Sequence, residues 1–404
     1  MRVVVAVEGT RGDVHPMLAL AASLQSRGHD VIVCAPPDFC GAAQSRGLSF
    51  RPVGQDVRAY LVREAAALHG GTLTMLNAGE RYFLDNLACQ MRELCEVADG
   101  ADLVLAAGTT LAGFSAAERA GADYRLVVYD PALLRSAEHP PAFLPYASLP
   151  RWLTRLTWAA MVGFMSMRLR PAVNRERARQ GLPPVRDLYR RLVGERPVLA
   201  AEELLAPAPA DVTGVQTIGC LHPFREAPLP EKLQGFLAAG EPPVYVGFGS
   251  MTDPDPAAAT RLVLDAISRA GVRAVISEGW AGLGGIALPA EVMRIGSVDH
   301  ASLFQRVAAV IHHGGAGTTT MAARAGAPQI LVPHVLDQFH WSRRVERLGL
   351  GPLALPRRRL TPEMLAAAIR SVLDNDVVVE RAAEVGERLR DAMRRRADPA
   401  DVLA

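Results

Sequence analysis

The chain runs to 404 residues, more than one domain usually holds at ~100–200 residues each, so two domains are expected. Half of its residues are hydrophobic and 21% are charged, which excludes a disordered or fibrous chain. Forty-four basic against 42 acidic residues leave a formal charge of +2, so no global basic field points to nucleic acid.

The first third alternates short apolar runs with helical patterns. Val3–Val7 is a run of strand formers, and a polar, glycine-bearing turn follows at Glu8–Asp13. The spacing of Leu18, Leu20, Ala21 and Leu24 predicts a helix over Pro16–Arg27, closed by Gly28. His29–Ala35, Asp102–Ala106 and Arg125–Tyr129 read as further strands. Strand, helix and strand in succession imply a parallel sheet covered on both faces.

The middle differs. Residues 139–210 are rich in proline, and Trp152–Leu169 is apolar nearly all round, which predicts a buried helix. Pro223–Pro230 reads as an exposed linker. The βα rhythm then restarts with strands at Pro243–Phe248, Val272–Ser277, Arg294–Val298, Ala308–His312 and Gln329–Pro333. Two open α/β sheets in tandem suggest two similar domains facing a cleft. Ligands of such sheets bind beyond the carboxyl ends of the strands.

Three segments at those ends carry chemistry. Ile311–Thr320 reads IHHGGAGTTT between a strand and a helix. Its glycines allow close approach to the backbone. The free amides of the helix start form a ready anion site, suited to a phosphate or diphosphate, with two histidines beside it. The bland alternative is a glycine-rich connection with incidental histidines. No Gly-Lys-Ser/Thr follows, so this is not a Walker loop, and GxGxxG is absent, which disfavours a dinucleotide oxidoreductase. Val332–Trp341 follows the next strand with Asp337 and Gln338 side by side, an acceptor and a two-sided amide that suit a polyhydroxylated ligand. The competing reading is an N-cap aspartate and a solvated glutamine. Gly9–Pro16 ends the first strand; Asp13 there could serve as a general base if burial raises its pKa, or could merely cap a helix. Ser250 follows the strand VYVGFG in the same pattern.

Five cysteines, Cys34, Cys40, Cys89, Cys95 and Cys220, show no metal spacing, and their odd number excludes a complete disulfide framework. The apolar start is too short for a secretory signal. The most membrane-like stretch, Leu156–Met167 between Arg155 and Arg168, is too short to cross a bilayer as a helix. A cytoplasmic protein with no integral membrane segment is expected.

Together, HHGGAGTT running into RAGAPQILVP and DQFHW, the linker HPFREAPLPEKLQGFL and the opening GTRGDVHPMLALAASLQSRGHDV resemble the family 1 glycosyltransferases. The match is closest to the bacterial branch that glycosylates antibiotics, and sterol glucosyltransferases share the C-terminal signature. The resemblance implies an α/β, GT-B fold: two Rossmann-like domains with parallel sheets facing a central cleft. Residues 1–213 would bind the acceptor, 214–385 the nucleotide sugar, and 386–404 would pack back on the first domain. It implies an inverting, single-displacement reaction without metal or resident cofactor, the nucleotide-diphosphate sugar being a co-substrate. His312 and the amides around Gly314, Gly315, Ala316, Gly317 and Thr318 would hold the diphosphate, with Ser250 and Thr10 assisting. The backbone of Val298 would face the base, Asp337 and Gln338 would bind sugar hydroxyls, and Asp13 would deprotonate the acceptor.

Two positions depart from the UDP-using pattern. Thr320 stands where many relatives carry a ribose-binding glutamate, and Ser297 where plant enzymes carry a base-stacking tryptophan. Both fit a dTDP-deoxysugar donor and leave UDP-glucose open. The acceptor would be a small lipophilic natural-product aglycone, with the apolar 152–169 stretch lining or supporting its pocket. C-glycosyl transfer, a sterol or lipid glucosyltransferase acting at a membrane surface, and a non-catalytic partner of a transferase remain as alternatives.

Overall fold

The computed structural model describes residues 1–68, 72–142, 144, 149–221 and 228–403. Their contacts divide them into two compact units: 1–141, 149–221 and 397–403 in one, 142, 144 and 228–396 in the other.

The first unit is built on a seven-stranded parallel sheet. Its strands are β1 (Arg2–Glu8), β2 (Asp30–Ala35), β3 (Ser49–Pro52), β4 (Leu103–Gly108), β5 (Asp123–Val128), β6 (Val198–Leu199) and β7 (Gln216–Thr217). They lie in the order β3-β2-β1-β4-β5-β6-β7. The valine run of β1 serves both faces by strict alternation. Val3, Val5 and Val7 pack against Val14, Leu18, Leu20 and Leu24 of the helix Arg11–Ser26. Val4 and Ala6 pack against Leu87, Met91 and Leu94 of the helix Thr72–Val97.

The second unit has a five-stranded parallel sheet of β8 (Val244–Gly247), β9 (Ala274–Ser277), β10 (Val292–Ile295), β11 (Ala309–His312) and β12 (Gln329–Leu331), in the order β10-β9-β8-β11-β12. One rung crosses all five strands: Arg294 beside Ile276, Ile276 beside Val246, Val246 beside Ile311, and Ile311 beside Ile330. The helices Pro256–Ala270 and Pro362–Leu373 cover one face through Val263, Ile267, Leu365 and Ile369. Leu233, Leu237 and Met321 cover the other, over Tyr245, Val275 and Val310.

Four expectations change. The first helix starts at Arg11, five residues before Pro16, because Thr10 caps it and Asp13 completes a capping box. The helix Arg151–Arg168 is not a buried one. Only Thr154 and Trp158 are buried, while Trp152 and Met167 are 63% and 66% exposed. It packs through one face alone, where Trp158 Nε1 donates to the His139 carbonyl at 2.9 Å. The division between units falls later than 213/214, since β7 pairs with β6 and completes the first sheet. Finally, the helix Asp376–Arg395 belongs to the second unit. Gly386 meets Gly326 so closely that a β-carbon on it would stand 2.8 Å from the Gly326 Cα. Only the following residues join the first unit, where Ala400 and Leu403 enter the core and Ser23 Oγ donates to Asp398 at 2.7 Å. The expected linker Pro223–Pro230 falls largely on 222–227, outside the described residues.

Candidate active site

At the carboxyl end of β11 the chain turns through Gly314 (φ +93°) into the helix Ala316–Ala325. Gly315 is its N-cap and offers no side-chain acceptor. The first-turn N–H groups of Ala316, Gly317 and Thr318 therefore have no intrahelical partner, and Gly315–Thr318 are partly exposed. These donors, at the positive end of the helix, form an anion cradle.

The two motif histidines separate sharply. His312 is fully buried, and both ring nitrogens are engaged. Its Nδ1 accepts from the Gly314 amide at 3.1 Å, so Nε2 carries the proton and donates to Gln329 Oε1 at 2.9 Å. Burial lowers its pKa to about 3, so the ring stays neutral. His312 and the Gly314 amide, expected at a diphosphate, hold the turn in this structure. His313 is the histidine at the cradle. A β-carbon on Gly249 would lie 2.8 Å from its Cε1, and one on Gly315 2.6 Å from its Nε2. Only glycine lets the two backbones close on this ring, and Gly249 also has φ +60°. Thr320 is 1% exposed, buried within the second unit.

The neighbouring loops are braced together. Ser250 is buried in the loop after β8. Further along that loop Asp253 pairs with Arg357 at 2.8 Å. After β12 the chain turns through Leu336, whose φ of +54° is the one positive value at a non-glycine residue among those described. Gln338 Oε1 accepts from the backbone of His334 at 2.7 Å and of Val335 at 3.1 Å, and its Nε2 contacts Met251 Sδ at 3.2 Å. Gln338 therefore holds this turn from inside, at 4% exposure. Asp337 precedes it, partly exposed, and its side chain does not cap the helix Gln338–Arg347. Val298 lies beyond β10, whose strand ends at Ile295, and its side chain packs on the core.

In the first unit, Asp13 sits at the carboxyl end of β1. Its Oδ2 accepts from the Thr10 amide at 2.8 Å and the Thr10 hydroxyl at 3.2 Å. Thr10 Oγ1 also accepts from Gly12 N, so this hydroxyl positions Asp13 and caps the helix. Burial dominates over these hydrogen bonds and raises the Asp13 pKa to about 6. The backbone closes on the carboxylate at Gly9, where φ is +144° and a β-carbon would stand 2.4 Å from Asp13 Oδ2. Tyr129 donates its hydroxyl to the Asp13 carbonyl at 2.7 Å, fixing the start of the helix to β5.

Glu8, the last residue of β1, was not expected to matter. It is 2% exposed on the opposite face of β1. Tyr82 donates its hydroxyl to Oε1, and Gln90 Nε2 donates to Oε2 at 3.3 Å. Burial raises its pKa to about 7. Gln90 Oε1 accepts from Leu111 N at 3.0 Å, and Asn86 Oδ1 from Gln55 N at 2.9 Å, so the network pins the loops after β3 and β4. The sequence signal is a glutamate closing a run of valines. Among the described residues no three His, Cys, Asp or Glu side chains gather to hold a metal ion, and no helix is long and apolar enough to cross a membrane.

Residues 3–95 match the glycosyltransferase family 28 N-terminal domain, and 261–404 the erythromycin biosynthesis protein CIII-like C-terminal domain. The vancomycin aglycone glucosyltransferase of Amycolatopsis orientalis is 38% identical over 96% of this chain and 93% of its own. The dTDP-epi-vancosaminyltransferase of the same organism is 37% identical, over 93% and 91%. The crystal structure of the glycosyltransferase VinC with dTDP superposes with a TM-score of 0.66 at 22% identity, covering 100% of this chain and 98% of that one.

Proposed function

This chain belongs to the GT-B glycosyltransferases of antibiotic biosynthesis, and from that membership we propose that it transfers a sugar from a dTDP- or UDP-activated donor to a hydroxyl of a small lipophilic aglycone. The second unit binds the donor and the first the acceptor. The observation that carries the reading is the uncapped start of the helix Ala316–Ala325, a set of backbone donors beside His313. A nucleoside diphosphate leaving group gains one negative charge as the bond to the anomeric carbon breaks, and preorganised N–H groups meet that charge without reorganising.

Asp13 acts as the general base. At neutral pH its carboxylate form predominates, yet its raised pKa brings it close enough to the working pH to accept a proton from the acceptor hydroxyl. The acceptor oxygen attacks the anomeric carbon, the bond to the diphosphate breaks, and the hydroxyl proton passes to Asp13. Displacement on the face opposite the leaving group inverts the anomeric centre, and no metal is required where helix amides carry the diphosphate. Asp337 binds sugar hydroxyls, and Ser250 and the Val298 backbone line the nucleotide. Thr10 orients Asp13, and Gln338 holds the turn that presents Asp337.

One relative's name specifies glucosyl transfer and another's transfer of an epi-vancosaminyl group from dTDP, so the nucleotide base is the first thing to measure. Calorimetric titration with dTDP and with UDP tests it. Tighter dTDP binding supports a deoxysugar donor; tighter UDP binding supports glucosyl transfer, including to a sterol or lipid. Binding of neither nucleotide sinks the donor-site reading.

A further inference from the structure

The strand order of the second unit assigns a direction to the donor. The anion cradle follows β11, with β12 on one side and β8, β9 and β10 on the other. Asp337 follows β12, so the sugar lies to that side. The nucleoside must then run the opposite way, across the end of β8 and over β9. Adjacent strands are ~4.8 Å apart, which puts the end of β9 roughly 10 Å from that of β11, about the reach of a nucleoside from its diphosphate.

Gly279 and Trp280 stand at that point. Trp280 N donates to the Gly249 carbonyl at 2.9 Å, joining the β9 loop to the β8 loop that lies against His313. Gly279 has φ +54°, and a β-carbon on it would come 2.7 Å from the same carbonyl, so the two loops are pressed together. On the other side Glu278 N donates to the Ile295 carbonyl at 3.0 Å, seating the segment against β10. Trp280 is half-buried. Phe248 is taken up by the core and by His334, whose ring centroid lies 5.2 Å away on the β12 side. The loops 249–255 and 296–299 hold no aromatic residue. Trp280 is thus the aromatic residue that the β9 loop places at this point.

We propose that Trp280 stacks on the nucleobase of the donor. The inference rests on the donor-site reading above and adds the residue that recognises the base. An indole face accepts any base, so it contributes affinity while groups around its edge discriminate.

The test is calorimetry of the wild type, Trp280→Ala and Trp280→Phe with dTDP and with inorganic pyrophosphate. Stacking lost to alanine is expected to weaken dTDP binding about ten- to a hundredfold, with phenylalanine restoring most of it. Pyrophosphate binding should stay unchanged in both variants, because it reports the cradle alone. Indole fluorescence of the wild type should be quenched by dTDP, and that quenching should vanish in Trp280→Phe. Equal dTDP affinity in wild type and Trp280→Ala overturns the stacking inference and leaves the donor site standing. Loss of pyrophosphate binding in Trp280→Ala also overturns it, since the residue would then support the fold. If the wild type binds no dTDP, both readings fall.

Discussion

His312 donates to Gln329 across β11 and β12 at 2.9 Å, inside a core that excludes water from both. The motif's first histidine is thus a beam between two strands, and its neighbour His313 is the one beside the start of the helix Ala316–Ala325. Removing His312 leaves the Gln329 carbonyl oxygen and the Gly314 amide without partners in a buried place. Each such orphan costs about 1–3 kcal/mol, and the cavity adds to it.

His312→Ala is therefore expected to lower the melting temperature strongly, and by more than His313→Ala does. Pyrophosphate titration should show the reverse ranking among folded proteins, with His313→Ala weakened. A folded His312→Ala that has lost pyrophosphate affinity, beside a His313→Ala with full affinity, would return the role to His312.

Asp13 supplies the second prediction. Asn at this position keeps an oxygen for the Thr10 amide, so the capping box survives. Asp13→Asn should bind dTDP as the wild type does and lose about 10²–10⁴ in transfer rate. With a folded-state pKa near 6, the wild-type rate should fall as the pH drops through 6, because protonation removes the base. Glu8→Gln should keep this acid limb. An acid limb that survives in the residual activity of Asp13→Asn would assign it to another group.

How far the sequence carried these conclusions differs by element. Strands with continuous apolar runs, such as Val3–Val7 and Ala308–His312, could be read directly, because buried parallel strands need apolar residues on both faces. The strands Ser49–Pro52, Val198–Leu199 and Gln216–Thr217 could not. They are short and lie toward the sheet's edges, and β7 carried the unit boundary with it. The site motifs fell at the right strand ends, yet their division of labour was hidden. Which of two adjacent histidines turns inward depends on Gln329, 17 residues on, and on alternation along β11. Gln338 looked like a solvated or sugar-binding amide, but the positive φ of Leu336 folds the turn back onto its side chain. Glu8 escaped because its partners, Tyr82 and Gln90, come from a distant helix.

Glu8 yields the last prediction, on stability. Its carboxyl has an ordinary value of 4.5 and is raised to about 7 in the folded protein, chiefly by burial. The folded state holds the proton more tightly than the unfolded chain does. Stability therefore declines as the pH rises from about 4.5 to 7 and stays low above it. A neutral glutamine removes that dependence. The gain at pH 8 is at most about 3 kcal/mol from the shift itself. Glutamine still accepts from the Tyr82 hydroxyl, but its amide cannot accept from Gln90 Nε2, which takes back about 1 kcal/mol. Glu8→Gln should therefore unfold at higher urea than the wild type at pH 8, with the difference shrinking steadily toward pH 5. A difference that is the same at both pH values would mean that Glu8 is not protonated on folding, and that Tyr82 and Gln90 hold it as a buried carboxylate.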